Sequence, residues 1–450
     1  MRSIDLVLAA GVLAATLALR MAGQYSLSYL PLALYGLRGN AQAVLALELS
    51  WLVTMLSKGI GPEFIGGGAG RTAAVAIIAL ATIFRSGALR GDWRMSRPVQ
   101  ATLGVGFFLV CHSLLFSRVA DVSVLKALSW TVTTCTLLAN FGRLSDGVYA
   151  QLERIVFGLL LGVSLVSLPL VATEVGYLTN GTGFQGILNQ PQAFGLTMAL
   201  LASWLLGGLL GDPRPSWQRL AFLGVAIMMV ALSQSRTAGL AFLLSVPIGV
   251  LLVVRGAPGS ARASLPGLWT GRMHWMLLLA PVVLALTGTA LLERMSTFLR
   301  KGEDATSIVQ SYDTSRGRLV ERMLSNIKMN PWAGIGFGVA SDPYAMVIER
   351  DSVLGMPTGA AIEKGNTPIA VVEELGVLGA LVVAAWLVVL ALPAIRGGPR
   401  PAIVLVAILL TNLGEATLFS PGGFGMLALI LIAWAATSRH PPVQRSAAHA

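Results

Sequence analysis

Long apolar runs separated by short polar breaks set the pattern of this chain. Runs of about 17–25 residues recur from end to end, each long enough to cross the hydrocarbon of a bilayer. Spans are predicted near 4–22, 25–37, 41–57, 70–84, 100–116, 124–141, 154–175, 191–211, 217–233, 237–254, 274–292, 366–392, 401–418 and 421–438. The second is short, either re-entrant or fused with a neighbour, so 12 to 14 helices are expected. The opening "MRSIDLVLAAGVLAATLALRMAG" has the charge and length of a signal peptide, but more spans follow at once, which favours an uncleaved first helix.

The polar breaks then orient the bundle. "RSGALRGDWRMSRP", "GRLSDGVYAQLER", "GDPRPSWQR", "RGAPGSARASLPGLWTGR", "IRGGPRP" and "RHPPVQR" all fall on one side, while the opposite short loops carry few cations, Lys58 and Arg118 among them. By the positive-inside rule both termini are expected to be cytoplasmic. The outer face receives "YLTNGTGFQGILNQPQ" (177–192), "SQSRTAG" (233–239) and the long stretch 293–365. A connection of roughly 70 residues is far longer than usual, and such loops carry function or disorder. Here "SRGRLVERMLSNIKMN" predicts an ordered amphipathic helix, with Leu319, Met323 and Ile327 on one face and Val320 and Leu324 beside it. Asp313, Thr314 and Ser315 offer N-cap oxygens, Pro331 stops the helix, and "GIGFG" follows as a tight backbone segment. The organisation read from this is 1–175, N-terminal helices; 176–292, helices with the outer loops of interest; 293–365, the large outer loop; 366–438, C-terminal helices; and 439–450, a disordered tail. No internal repeat is visible.

Composition agrees with an all-α polytopic membrane protein. The 450 residues are 55% hydrophobic and 12% charged, against about a quarter charged in soluble domains. The net charge of +11 comes largely from the one-sided loops, so it is no nucleic-acid footprint. Cys111 and Cys135 lie inside apolar runs, which implies no disulfide framework. The four histidines are scattered and no HExxH or CxxC occurs, so no protein metal site is expected.

Candidate chemistry concentrates on the outer face. Arg236, Arg316 and Arg318 stand there in apolar, hydroxyl-rich surroundings; a guanidinium fork suits phosphate and pyrophosphate oxygens, although interfacial snorkelling also explains such residues. Gln185, Asn189, Gln190 and Gln192 sit at the outer end of a span, where amides can bind sugar hydroxyls or simply cap a helix. The segment "EKGNTPIAVVEELGVLGALV" (363–382) places Glu363, Lys364, Asn366, Glu373 and Glu374 where the chain re-enters the membrane, as chemistry or as an interfacial rim. Glu48 lies within a span and Glu415 near the outer end of one; embedded carboxylates are costly and are either functional or paired with a polar group.

Four of these stretches, in order and on one face, resemble the O-antigen ligase and O-antigen polymerase superfamily of bacterial membrane glycosyltransferases. In "SRGRLVERMLSNIKMNPWAGIGFG" (315–338), Arg316 precedes Pro331, Trp332, Gly334, Gly336 and Gly338 at the interval of the family's long periplasmic loop. "SQSRTAGLAFLLSV" (233–246) resembles the Ser-Arg that opens the family's conserved domain, "FQGILNQPQAFG" (184–195) a family helix entry, and "GNTPIAVVEELGVLG" (365–379) the return of the loop to the membrane. The resemblance covers roughly residues 175–390. It departs at Gly365, where family members commonly carry a histidine, the base proposed for the ligases.

The resemblance implies a GT-C-like architecture in the bacterial inner membrane. The donor would be an undecaprenyl-pyrophosphate-linked oligosaccharide and the acceptor another glycan or lipid-linked glycan, among membrane lipids and other polysaccharide-assembly proteins. Transfer would invert the anomeric carbon without metal or other cofactor. Arg236, Arg316, Glu363 and Lys364 would be catalytic, and Arg318, Gln185, Asn189, Gln192, Asn366 and Glu374 would bind substrate. The missing histidine favours a polymerase of repeat units over a ligase acting on lipid A–core. Other readings are a polysaccharide or lipid transporter, against which the lack of repeats counts, and a non-catalytic assembly partner.

Overall fold

The computed structural model describes residues 5–61, 68–87, 95–256, 261–275, 317–350, 357–360 and 364–439. Arg316, Glu363, the cap residues at 313–315, the tail from 440 and all but the first two residues of the span expected at 274–292 lie outside them. The described chain builds α1 (Leu6–Met21), α2 (Leu30–Gly36), α3 (Asn40–Met55), α4 (Gly68–Arg85), α5 (Arg97–Phe116), α6 (Ala120–Gly142) and α7 (Asp146–Ser167). It continues with α8 (Pro191–Gly211), α9 (Trp217–Leu232), α10 (Arg236–Gly256), α11 (Arg318–Met329), α12 (Thr367–Arg396), α13 (Pro399–Thr411) and α14 (Phe424–Ala436). Among the described residues seven helices are long and apolar enough to cross a membrane: α4, α5, α6, α7 with its 3-10 extension, α8, α10 and α12. Helices α1, α9, α13 and α14 are apolar and shorter. The chain thus has the build of a multi-pass membrane protein.

Local sequence sets many helix starts. Asp5 caps α1 by accepting from Leu8 N–H, Ser216 caps α9 through Arg219 N–H, and α5, α8, α12 and α13 open on proline, whose fixed φ and missing N–H suit a first turn. The short second span is made from a 3-10 turn (Leu27–Tyr29) and α2. It begins where Ser26 packs against Gly70 at the start of α4. It ends where Arg85 Nη1, at the end of α4, donates to the carbonyls of Gly36 and Leu37, each at 3.0 Å. The stretch therefore runs beside α4 for most of that helix.

Burial separates the helices into two groups. Every residue of α14 and nearly every residue of α3 and α8 is buried, and α8 packs against α9, α10 and α13. Helices α4, α5, α9 and α10 turn Leu80, Phe84, Phe107, Leu114, Leu115, Ile227, Leu240 and Leu243 outward. Apolar surface of that extent is unfavourable in water and neutral against lipid. Inside, Trp130 and Trp386 meet at 5.3 Å between ring centroids, and their indole N–H groups donate to Leu418 O (3.0 Å) and Thr102 Oγ1 (2.9 Å).

The chain turns at two distinct ends. One gathers Arg85, Arg143, Arg214, Arg219, Arg272, Arg400 and Arg439, with ion pairs Arg219–Asp212 (2.7 Å), Arg400–Glu153 (2.8 Å) and Arg439–Asp146 (2.5 Å). The other holds the starts of α8, α10, α12 and α14 together with α11. The described arginines of the short loops assigned to one side therefore gather at one end, while Lys58, Arg71, Arg236, Arg318 and Lys364 stand at the other. The long loop differs from the all-α expectation in one respect: β1 (Ile348–Arg350) and β2 (Pro357–Ala360) pair antiparallel, with Ile348 opposite Ala360, and Arg350 pairs with Asp121 of α6 at 2.7 Å.

Candidate functional site

The loop that follows α11 is seated on a break in α12. Asn366 caps this helix, its Oδ1 accepting from Ile369 N–H (3.1 Å) while its Nδ2 donates to Leu413 O (3.0 Å). At Gly376 the backbone leaves helical geometry (φ 67°, ψ −176°). The freed carbonyls of Glu373 and Glu374 accept from Ile335 N–H (2.9 Å) and Gly336 N–H (3.0 Å), and Val377 N–H donates to Pro331 O (2.9 Å). Both facing positions need glycine. A Cβ on Gly376 would stand 2.0 Å from Trp332 O, and one on Gly334, itself at φ 70°, 2.5 Å from the Glu374 carbonyl. The "GIGFG" segment then drives the buried Phe337 ring against Phe419 at 5.5 Å, with Lys126 Nζ 5.2 Å from the Phe337 centroid.

Charges fasten the same seat. Glu373 accepts from Asn326 Nδ2 (2.6 Å) and Ser341 Oγ (3.2 Å) and is ion-paired with Lys364. Glu374 accepts from Gly338 N–H (2.6 Å), and its other oxygen lies 3.7 Å from Lys364 Nζ. The Lys364 and Glu373 side chains are 2% and 0% exposed, so the pair is desolvated and must be fully bonded to be tolerated. Lys364 and Glu374, expected to face substrate, here join α11 and its following loop to α12. Arg318 is exposed at the start of α11, and Arg322 of the same helix pairs with Asp342 at 3.3 Å. Met323 is the buried centre of the predicted apolar face, flanked by half-buried Leu319 and Ile327.

A cavity of about 670 Å³ opens at the same end of the bundle, between the end of α3, the segment 178–192 and the turn before α14. Its polar lining is Thr54, Ser57, Thr179, Gln185, Asn189, Gln190, Gln192 and Thr417, with one ammonium, Lys58, and one carboxylate, Glu415. Met55, Leu56, Leu178, Leu196 and Phe424 supply an apolar wall. Backbone pairing fixes the walls to each other: Asn189 N–H donates to Met55 O and Ser57 N–H to Ile187 O, each at 2.8 Å. Gln185 is wholly engaged, its Oε1 accepting from Thr179 N–H (2.9 Å) and its Nε2 donating to Ser57 Oγ (3.1 Å). Gln190 occupies the cap position of α8 without a side-chain bond, and Gln192 is exposed in the first turn. Asn189 Oδ1 is a buried oxygen with no hydrogen-bond partner among the described residues. Burying an unpaired acceptor is unfavourable.

The structure thus brings Gln185, Asn189 and Gln192 to one cavity. Arg236 begins α10 in the neighbouring segment, where Thr237 packs against Gly414. Two cations beside this cavity were not among the sequence candidates. Lys58 lines it, and the Arg71 guanidinium lies against Gly422, next to the lining residue Gly423. Their only sequence signal is position, as isolated charges on the cation-poor side. Glu48 is fully buried in α3, and neither of its carboxylate oxygens has a partner among the described residues, so the pairing weighed for it is not found there. No group of three His, Cys, Asp or Glu side chains among the described residues is placed to hold a metal ion.

A pocket lined by amides, hydroxyls and alkyl groups suits a ligand that carries both hydroxyls and apolar surface. No protein-family model matches this chain, and no curated protein is found to be similar to it.

Proposed function

We propose that the protein is a membrane glycosyltransferase of the polysaccharide-polymerase type, and that the cavity between α3, segment 178–192 and the α13–α14 turn holds the sugar portion of a lipid-linked glycan. What carries this reading is the meeting of Gln185, Asn189, Gln192, Lys58 and Glu415 in one 670 Å³ cavity at the end of an apolar bundle. In this reading the cavity faces the periplasm from a bacterial inner membrane and both termini are cytoplasmic, which the gathering of the short-loop arginines at the opposite end supports. There it meets the head of an undecaprenyl-pyrophosphate-linked oligosaccharide whose polyprenyl chain lies along the lipid-facing helices. The architecture is GT-C-like.

In this reading an acceptor hydroxyl of one repeat unit attacks the anomeric carbon of another, and the lipid pyrophosphate leaves with inversion. Negative charge grows on the leaving group, and preorganised cations near it lower the barrier without a metal. Arg236, Lys58 and Arg71 are described cations near the cavity, with Arg316 and Arg318 supplied by the long loop. The seat made by Lys364, Glu373 and Glu374 holds that loop over the bundle and so serves positioning rather than proton transfer. Gly365, where the ligases that the sequence motifs resemble commonly carry histidine, favours polymerisation over transfer to lipid A–core.

The test is extension of undecaprenyl-pyrophosphate oligosaccharide from the native host by the purified protein in nanodiscs, in EDTA, with mass spectrometry of the products. A ladder of lengthened lipid-linked glycans is expected. Absence of extension with native donor, together with protein-dependent movement of the lipid between leaflets, would replace this reading with that of a transporter.

A further inference from the structure

We infer that Glu415 is the general base of this site, accepting the proton of the attacking acceptor hydroxyl; the assignment rests on the transfer reading above. A hydroxyl that becomes a glycosidic oxygen must lose its proton, and a carboxylate within hydrogen-bond reach is a suitable acceptor. Among the described lining residues of the cavity Glu415 is the one carboxylate. Lys58, while charged, has no lone pair to take a proton, and the amides of Gln190 and Gln192 position hydroxyls rather than deprotonate them.

The other described acids at this end are placed elsewhere. None of them lines the cavity: Glu373 and Glu374 lie inside the loop seat, Asp342 stands beside Arg322, Asp121 beside Arg350 on α6, Glu349 on β1, and Glu174 and Glu321 are exposed.

The turn that presents Glu415 is also held firmly, as a proton acceptor of fixed geometry requires. Asn412 Oδ1 accepts from Thr367 Oγ1 (2.8 Å), Leu418 N–H (2.9 Å) and Thr417 N–H (3.0 Å), so one amide oxygen organises the turn 412–418. Thr367 N–H donates to Asn412 O (2.8 Å), Thr367 Oγ1 to Glu415 O (3.1 Å) and Asn366 Nδ2 to Leu413 O (3.0 Å), which tie the turn to the start of α12. Glu415 therefore lines the cavity from a firmly held backbone, at the turn tied to the start of α12.

In the step itself a lone pair of the acceptor oxygen forms the new C–O bond at the anomeric carbon while that oxygen's proton passes to a Glu415 carboxylate oxygen. The anomeric C–O bond to pyrophosphate breaks, its electron pair leaves on the pyrophosphate oxygen, and Glu415 later returns the proton to water.

The experiment compares wild type, E415Q, E415D and E415A in the nanodisc extension assay, with donor affinity and thermal stability measured on each. Loss of a general base predicts turnover lower by about 10²–10⁴-fold in E415Q with donor affinity unchanged, partial activity in E415D, and acceleration of E415A by added formate. Wild-type turnover in E415Q overturns the assignment. So does a loss in E415Q that follows donor affinity or stability while E415A ignores formate, because that pattern belongs to a wall residue. If wild type itself extends nothing, the transfer reading fails first and takes this assignment with it.

Discussion

Gly376→Ala is expected to lift the loop off α12 without unfolding the bundle. The residue sits at φ 67°, ψ −176°, a region essentially reserved for glycine, so an alanine there costs about 1–3 kcal/mol. Its Cβ would stand 2.0 Å from Trp332 O and 2.6 Å from Ala333 N, and relief requires the 331–336 backbone to move away. That movement breaks the bonds Ile335–Glu373, Gly336–Glu374 and Val377–Pro331. Those bonds are lost on opening in wild type too and cancel, so the strain alone, at 1.4 kcal/mol per tenfold, makes the loop open about 5–100 times more often. Hydrogen–deuterium exchange of peptides covering 331–341 in nanodiscs reads this directly, since exchange through local opening follows the opening equilibrium. Peptides from α14, buried on every side, should be unchanged. Gly224→Ala is the control, because nothing lies within 4 Å of the added carbon and its backbone is ordinary helix. Unchanged protection of 331–341 in the Gly376→Ala protein, or an equal change in the control, refutes the reasoning.

Three further outcomes follow from the same contacts. Glu373→Gln leaves the Lys364 ammonium buried with only the Glu374 oxygen at 3.7 Å, and breaking such a pair costs about 3–5 kcal/mol; thermal unfolding should fall, and recover largely in a Lys364→Met, Glu373→Met double variant. Gln185→Ala strands the Thr179 N–H and removes the donor to Ser57 Oγ, at about 1–3 kcal/mol for the buried group left unpaired, so proteolysis within 177–192 should accelerate. Lys58→Ala should weaken donor binding and flatten its dependence on salt, read by titrating lipid pyrophosphate at two ionic strengths; an unchanged salt dependence would remove Lys58 from the anion site.

The loop seat and the cavity divide the candidate residues in a way their spacing does not express. Glu373 and Glu374 stand in a helix start beside Lys364, a pattern equally compatible with proton transfer and with a buried latch. What decides is the break at Gly376, which exposes two carbonyls to the "GIGFG" backbone and draws the acids inward. Asn189 resembled a cap, yet Gln190 takes the cap position and Asn189, a cavity-lining residue, keeps a buried oxygen without a partner among the described residues. The amphipathic face of α11 and the tight glycine turns were legible because periodicity and φ preference belong to neighbouring residues.

By itself the sequence determined that the chain is a multi-pass helical membrane protein, where most helices start and stop, and that the arginines of one set of short loops share a side. Each of these follows from a property summed over one contiguous stretch: enough apolar length to cross lipid, a capping oxygen, a proline, a run of arginines. Tertiary structure alone decided that α3, segment 178–192 and the turn at 412–424 enclose one cavity, that Lys364 is sealed within an ion pair, and that Lys58 and Arg71 adjoin that cavity. Those are meetings of segments far apart in the chain. They depend on how many helices pack together at once, a quantity no local pattern carries.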